Sequence, residues 1–236
     1  MGIKDAYLRE RKTFESGVFL LHDGKISACG ALGEGEILME TKTPVFELNY
    51  DIREWKELKY YAELKRSMNY LAAHPATYFM GQSITTRQGN AMRSTLVDIP
   101  KEKILEMPVM EDAQLGMSTG MALSGFIPIS IYRCWNFFVL ATNQLVNHLD
   151  KLKEMSRGEY QPKVIMRVGV GSERPLYQGA QHSGDFTDGY RLLLTNTEVI
   201  RLDEPDQIFP AYEKALNRTD GKSTLLIEWL DYYAEK

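Results

Sequence analysis

Residues 108–168 decide the fold: PVMEDAQLGMSTGMALSGFIPISIYRCWNFFVLATNQLVNHLDKLKEMSRGEYQPKVIMRV. An apolar run, Pro108–Met110, leads through Glu111 into Asp112–Leu123, a helical pattern rich in small residues. A strand follows at Phe126–Tyr132, with Gly125 and Pro128 at its start, then the aromatic turn RCWNFF. Asn136–Met155 reads as one long amphipathic helix and Val164–Val170 as a buried strand. Strands alternating with helices of about 10–20 residues mean an α/β fold: a mainly parallel sheet with helices on both faces. In such sheets the ligand crevice lies outside the carboxyl ends of the strands. Attention therefore falls on the loops 81–92, 108–112, 133–137 and 169–187.

Upstream, Ile52–Ala73 has helical period, with Trp55, Leu58, Tyr61, Leu64, Met68 and Leu71 at three- and four-residue steps. His74-Pro75 stops it, because the residue before proline is pushed out of the α region. A short strand at Thr77–Met80 ends at Gly81, and Lys103–Pro108 reads as short and extended. Downstream, a long polar loop from Gly171 to about Asp185 precedes a strand at Thr197–Leu202. The helix Pro205–Ala215 and the strand Ser223–Trp229 complete the series. Gly17–Tyr50 differs in character: it is rich in glycine and short apolar runs, and Asp23-Gly24 between two such runs signals a hairpin. The sequence thus divides into an N-terminal β-hairpin appendage, 1–51, and an α/β domain, 52–236.

Over 236 residues, 44% are hydrophobic and 25% charged, a globular balance that excludes a disordered or collagen-like chain. Lys plus Arg number 28 against 32 Asp plus Glu, which counts against a nucleic-acid binder. The two cysteines, Cys29 and Cys134, form no framework and no CxxC pair, so a reducing compartment is expected. The charged N-terminus lacks an apolar signal region, and no apolar run approaches the roughly 20 residues of a membrane span. A cytoplasmic location is the expectation.

The stretch from Pro108 resembles the pyrimidine-binding domain of thiamine-diphosphate enzymes, most of all the β subunit of the 2-oxoacid dehydrogenase E1 component. The likeness rests on an ordered series. Pro-Val-Met-Glu stands for Pro-Ile-x-Glu, and Gly116, Gly120, Ala122 and Gly125 lie in or just after a small-residue helix. An aromatic turn follows, then Asn143-Gln144 and Asn147 in place of Asp-Gln-x-x-Asn, and finally GAQHSGDF for a Gln-His-Ser loop. It covers roughly residues 52–230; residues 1–51 match nothing in that pattern.

Glu111 by itself reads as a helix N-terminal carboxylate, worth about 0.3–1 kcal/mol against the helix dipole. The resemblance gives it another role. The family's glutamate hydrogen-bonds the aminopyrimidine ring nitrogen and promotes the imino tautomer that activates the cofactor. That chemistry needs a carboxyl group in an apolar setting, which Val109 and Met110 can supply. Phe137 falls where the family stacks an aromatic ring on the aminopyrimidine. Arg133 lies four residues earlier, where related chains carry an uncharged residue near the same ring. Gln82 occupies the place of a glutamate at the subunit interface near the cofactor. His182 matches a histidine that faces the active site and serves the substrate, imidazole being suited to proton transfer near neutrality. The family continues with Ser-Gln, whereas Ser183 is followed here by Gly184 and Asp185. His22, His74 and His148 read as structural or exposed.

Two glycines in one helix cost about 1 kcal/mol each relative to alanine. Gly116 and Gly120 therefore imply a close neighbour, either the chain's own sheet or, by resemblance, a partner subunit.

A thiamine-diphosphate site also needs Mg2+ and a diphosphate-binding domain carrying Gly-Asp-Gly with a downstream Asn. His22-Asp23-Gly24 with Asn49 is a poor imitation: it lacks the leading glycine and sits among hairpins. By resemblance the chain is half an active site, completed by a separate diphosphate-binding α-type subunit in an α2β2 heterotetramer, with Mg2+ bound mainly by that partner. E1 β subunits carry a further C-terminal domain, and without one a split transketolase-like ketol transfer rivals 2-oxo-acid decarboxylation. A non-catalytic scaffold subunit and an independent ligand-binding module are the alternatives of other classes.

Overall fold

The computed structural model describes residues 18–22, 25–29, 59–85, 90–171 and 177–234. The chain divides into two units, Met1–Trp55 and Lys56–Lys236. In the first, β1 (Val18–His22) and β2 (Lys25–Cys29) pair antiparallel, with Val18 opposite Cys29 and His22 opposite Lys25. That register leaves the two residues of the expected hairpin turn between the strands. Asp23-Gly24 itself, a third strand, and the lead-in before Gly17 lie outside the described residues.

The second unit is a six-stranded sheet in the order β4-β3-β5-β6-β8-β7, every neighbour parallel. Its strands are β3 (Thr77–Gln82), β4 (Ile104–Met107), β5 (Ile127–Tyr132), β6 (Ile165–Val170), β7 (Thr197–Arg201) and β8 (Ser223–Trp229). Side chains alternate between two cores. Ile129, Ile131, Ile165 and Leu226 face one, while Tyr132, Met166, Val168, Leu225 and Ile227 face the other.

The first core is covered by α1 (Tyr60–Ala73), the single-turn helices at 91–103, and α6 (Pro205–Asn217). α1 buries Tyr60, Leu64, Met68 and Leu71 at three- and four-residue steps and ends as expected before Pro75. α6 begins with Pro205 in its first turn and a reciprocal cap between Glu204 and Gln207. The second core is covered by α2 (Glu111–Leu123), the helical segment 135–155, and α5 (Thr187–Leu193). Connections that step one way along the sheet cross on the first face, and those that step back cross on the second, so all share one hand.

Two elements differ from the sequence reading. The helix expected at Asn136–Met155 is broken into α3 (Trp135–Phe138), a 3-10 turn (Val139–Ala141), a π-helical stretch (Gln144–Leu149) and α4 (Leu152–Met155). Phe138, Ala141, Leu145 and Leu149 still reach the core, because a wide turn absorbs an extra residue without rotating the apolar face away. The polar loop after β6 ends in α5, which the sequence reading missed.

On the first face a buried ion pair ties β6 to β8. Arg167 donates to both carboxylate oxygens of Glu228, at 2.7 and 2.9 Å, and both residues are fully buried. The hydroxyls of Tyr212 and Tyr233 also donate to Glu228, and Arg167 reaches the Thr95 hydroxyl at 3.3 Å. On the second face Asp150 is fully buried. Burial alone would push its carboxyl up, but the backbone N–H groups of Thr195 and Asn196 and the Thr195 hydroxyl donate to it and hold it below the usual carboxylate range.

Candidate active site

Three connections on the second face bring the expected site residues to the carboxyl ends of β4, β5 and β6. Glu111 is the first residue of α2. It is 7% exposed, and no described residue hydrogen-bonds its carboxylate. It lies close enough to the end of β5 to push up the Tyr132 phenol and the Cys134 thiol, both of which burial raises first. Within this chain the apolar setting of Glu111 is not made by its flanking residues as the sequence reading expected. Val109 and Met110 are 66% and 51% exposed, and α2 begins only at Glu111. Glu111 is nonetheless buried, within electrostatic reach of the buried Tyr132 and Cys134.

α2 is held to the sheet by its polar side. The Gln114 amide donates to the Ile131 carbonyl at 3.1 Å and the Ser130 hydroxyl at 3.0 Å, and Ser118 donates to Ser130 at 3.1 Å. Gly116 and Gly120 play no part in this packing. Among the described residues a side chain at Gly116 would meet only Gln144, at 3.8 Å, and one at Gly120 nothing within 4 Å. The close neighbour expected for these glycines is not the chain's own sheet.

After β5 the turn is anchored by Trp135 and Phe138. Both are fully buried, with Trp135 4.7 Å from the Tyr190 ring and Phe138 4.6 Å from the Tyr132 ring. Phe137 lies between them in sequence and remains half-buried, its ring edge-on to the imidazole of His182 at 5.3 Å and 89°. Forty-five positions separate the two in sequence; they meet because β5 and β6 are sheet neighbours whose carboxyl-end loops adjoin. His182 Nδ1 is buried and has no hydrogen-bond partner among the described residues. The backbone carries its loop hard against the end of β6: a Cβ at Gly171 would lie 1.6 Å from the His182 carbonyl oxygen, so only glycine fits there.

Arg133 is half-buried beside the same loop, its guanidinium reaching the Gln178 side chain at 3.5 Å. Gln82 closes β3 opposite Met107 and accepts from the Asn90 amide at its backbone carbonyl, one sheet position removed from β5. The structure thus joins Phe137 and His182 by direct contact, brings Arg133 to Gln178 of the same loop, places Glu111 at the same end of the sheet, and leaves Gln82 on the neighbouring loop. His74 is structural, its Nδ1 accepting the Ala76 N–H at 3.2 Å, and His148 is exposed. Asn147 donates to Asn143 at 2.8 Å on the surface. Asn136 was missed by the sequence reading: it sits beside Phe137, and its side-chain oxygen accepts the Gly184 N–H at 3.0 Å. Among the described residues no group of three or more His, Cys, Asp or Glu side chains could hold a metal ion, and Asp23 and Asn49 lie outside them.

The domain is thus an all-parallel α/β fold with a carboxylate at a helix start, an aromatic ring and an imidazole at one end of the sheet. The comparisons supply the family. The profile of the transketolase pyrimidine binding domain matches residues 61–229, and the chain belongs to that family. It is 28% identical over 137 residues to the 3-methyl-2-oxobutanoate dehydrogenase subunit beta of Mycobacterium tuberculosis, covering 55% of this chain and 37% of that one. It is 26% identical over 122 residues to a mitochondrial pyruvate dehydrogenase E1 component subunit beta-2 of Oryza sativa subsp. japonica, covering 51% and 32%. The matches therefore span about a third of the length of these relatives. A transketolase from Campylobacter jejuni has the same fold, with TM-score 0.58 at 14% identity over 73% of this chain and 26% of that one. A split-gene transketolase, solved as an inactive beta4 tetramer, gives TM-score 0.53 at 15% identity over 71% and 50%.

Proposed function

We propose that this chain is the β-type, pyrimidine-facing subunit of a thiamine-diphosphate-dependent enzyme acting on a 2-oxo acid, in the manner of an E1 component. The observation that carries the reading is the meeting of Phe137 with His182, whose Nδ1 is buried without a partner among the described residues, at the same end of the sheet as the buried residue Glu111. Such groups fit an aminopyrimidine and a reacting carbonyl compound. The ring offers a stacking face, the carboxyl a proton-sharing partner for a ring nitrogen, and the imidazole nitrogen an unspent hydrogen-bonding site. The beta-subunit relatives favour 2-oxo-acid chemistry. Ketol transfer of the transketolase kind is the second reading, since the fold likeness to transketolases supports it at the level of architecture.

Thiamine diphosphate, when bound, supplies the nucleophile and electron sink of the reaction. Glu111 holds a proton at the pyrimidine edge, where the low-dielectric surroundings of Tyr132 and Cys134 strengthen a carboxyl–nitrogen hydrogen bond. Phe137 orients the ring by stacking, with Arg133 and Gln82 bordering it. His182 moves a proton at the substrate oxygen or carboxylate. Mg2+ and the diphosphate belong to a separate α-type subunit, the whole forming an α2β2 heterotetramer in the cytoplasm. Residues 1–51 form an appendage to the α/β domain in this reading. No helix among the described residues is long and apolar enough to cross a membrane.

Two experiments test this. Affinity purification from native cells with mass spectrometry should recover a stoichiometric partner carrying Gly-Asp-Gly and a downstream Asn. In the complex reconstituted with that partner, Glu111→Ala should lower thiamine-diphosphate-dependent turnover of 2-oxo acids by about 100-fold or more while the circular dichroism stays unchanged. Turnover equal to wild type in that variant would sink the assignment. A folded complex that turns over no 2-oxo acid but transfers ketol groups would replace it with the second reading, and one with no cofactor-dependent turnover would leave a scaffold.

A further inference from the structure

The loop that presents His182 departs from the family pattern at Gly184 and Asp185, and both residues have partners in this structure. Gly184 N–H donates to the Asn136 side-chain oxygen at 3.0 Å. Space at that position is tight: a Cβ on Gly184 would lie 2.7 Å from the tip of the Phe186 ring and 3.1 Å from the Asn136 amide nitrogen. Asp185 accepts from the Thr187 N–H at 3.0 Å, capping α5, and from Arg201 at 3.2 Å on β7. The loop's own backbone adds the His182 N–H to Gly179 carbonyl bond, at 2.9 Å.

On the other side of the contact, Trp135 and Phe138 fix the turn by burial in the second core, which leaves Asn136 and Phe137 to meet the loop. Two consecutive residues therefore grip one loop at two points, a side-chain amide on the Gly184 backbone and a ring against the His182 imidazole. Ring edges alone slide easily, because an edge-to-face pair has no directional lock comparable to a hydrogen bond. The amide contact is the hydrogen bond nearest the imidazole that reaches the loop from the turn after β5.

We propose that Asn136 is a positioning residue, whose hydrogen bond to Gly184 fixes His182 against Phe137 and aims its free nitrogen into the site. The assignment rests on the functional reading of His182 given above, and it extends that reading to a residue that touches neither cofactor nor substrate.

The test compares Asn136→Ala with Asn136→Asp, whose carboxylate can still accept the Gly184 N–H. Two readouts on the full chain need no substrate: hydrogen–deuterium exchange of the 177–186 segment, and the NMR shift of the His182 ring protons, which the Phe137 ring current displaces. Asn136→Ala should speed exchange at Gly184 by about threefold to tenfold and move the His182 signals toward those of Phe137→Ala, with both effects largely reversed in Asn136→Asp. Should Asn136→Ala fail to fold, Asn136→Leu keeps the bulk of the side chain but cannot accept the Gly184 N–H, and should give the same two changes. Wild-type exchange and an unmoved His182 signal in a folded Asn136→Ala would overturn the proposal. In the reconstituted enzyme the lesion should fall on kcat more than on KM. Absence of any cofactor-dependent turnover in the wild-type complex would refute the functional reading while leaving the exchange and NMR outcomes to judge the positioning claim alone.

Discussion

Replacing Glu228 with leucine should be among the most damaging single changes in the domain. The substitution keeps an apolar bulk in β8 but leaves Arg167, fully buried, facing only the hydroxyls of Thr95, Tyr212 and Tyr233. Its two charge-assisted bonds at 2.7 and 2.9 Å are lost together, and no solvent reaches the guanidinium. Removing one partner of a buried pair costs about 3–5 kcal/mol. A domain of this size loses about 2–4 °C of Tm per kcal/mol, so the melting temperature should fall by about 6–20 °C. Urea unfolding at pH 7 measures the free-energy loss and a thermal melt the shift in Tm, both followed by far-ultraviolet circular dichroism. The companion Arg167→Met/Glu228→Leu removes both charges and should recover most of the loss, since the penalty lies in the stranded charge rather than in the missing attraction. A loss below about 1 kcal/mol for Glu228→Leu, or a double variant as unstable as the sum of the singles, would refute this account of the pair.

Phe137→Ala should weaken cofactor affinity of the reconstituted enzyme by about threefold to tenfold, with Phe137→Tyr close to wild type, as isothermal titration would show; equal loss in both variants would argue against stacking. Asp150 has a folded-state carboxyl held below its ordinary value, so its contribution is complete above the unfolded value of about 3.9 and disappears as pH falls through the folded one. Wild type should accordingly lose more stability than Asp150→Asn between pH 5 and pH 2 in urea titrations, and parallel pH profiles would show that the Thr195 and Asn196 bonds do not act on a charge.

Most of the sheet was legible because each strand announces itself as a short apolar run bounded by glycine, proline or polar residues. Strand ends singled out the loops, but Glu111, Phe137, Arg133, Gln82 and His182 were picked out within them by the family resemblance. What escaped notice did so for identifiable reasons. α5 buries Thr187 and Tyr190 yet exposes Leu192 and Leu193, so apolar residues fall on its wrong face and its period is hidden. The broken helix at 135–155 keeps an apolar spacing that a regular helix also satisfies. The Arg167–Glu228 pair did leave a signal, a charged residue inside each of the runs IMRVGV and STLLIEW. Pairing them required knowing that β6 and β8 are neighbours, which sequence order conceals because β7 lies at the edge. The Asn136–Gly184 bond depends on the same kind of adjacency, between the loops after β5 and β6.

Because every connection crosses with one hand, the sheet has acquired a division of labour. The buried ion pair and its tyrosines sit under the helices of the first face, whereas Glu111, Phe137 and His182 are all delivered by connections on the second. Variation in the loops 108–112, 133–137 and 177–186 can thus search new substrate chemistry without touching the electrostatic anchor of the fold. A combinatorial library confined to the exposed and half-buried positions of those loops, with Trp135 and Cys134 kept, should yield a far larger folded fraction than one of equal size drawn from the interior of β6 and β8, which makes the second face the evolvable side of the molecule.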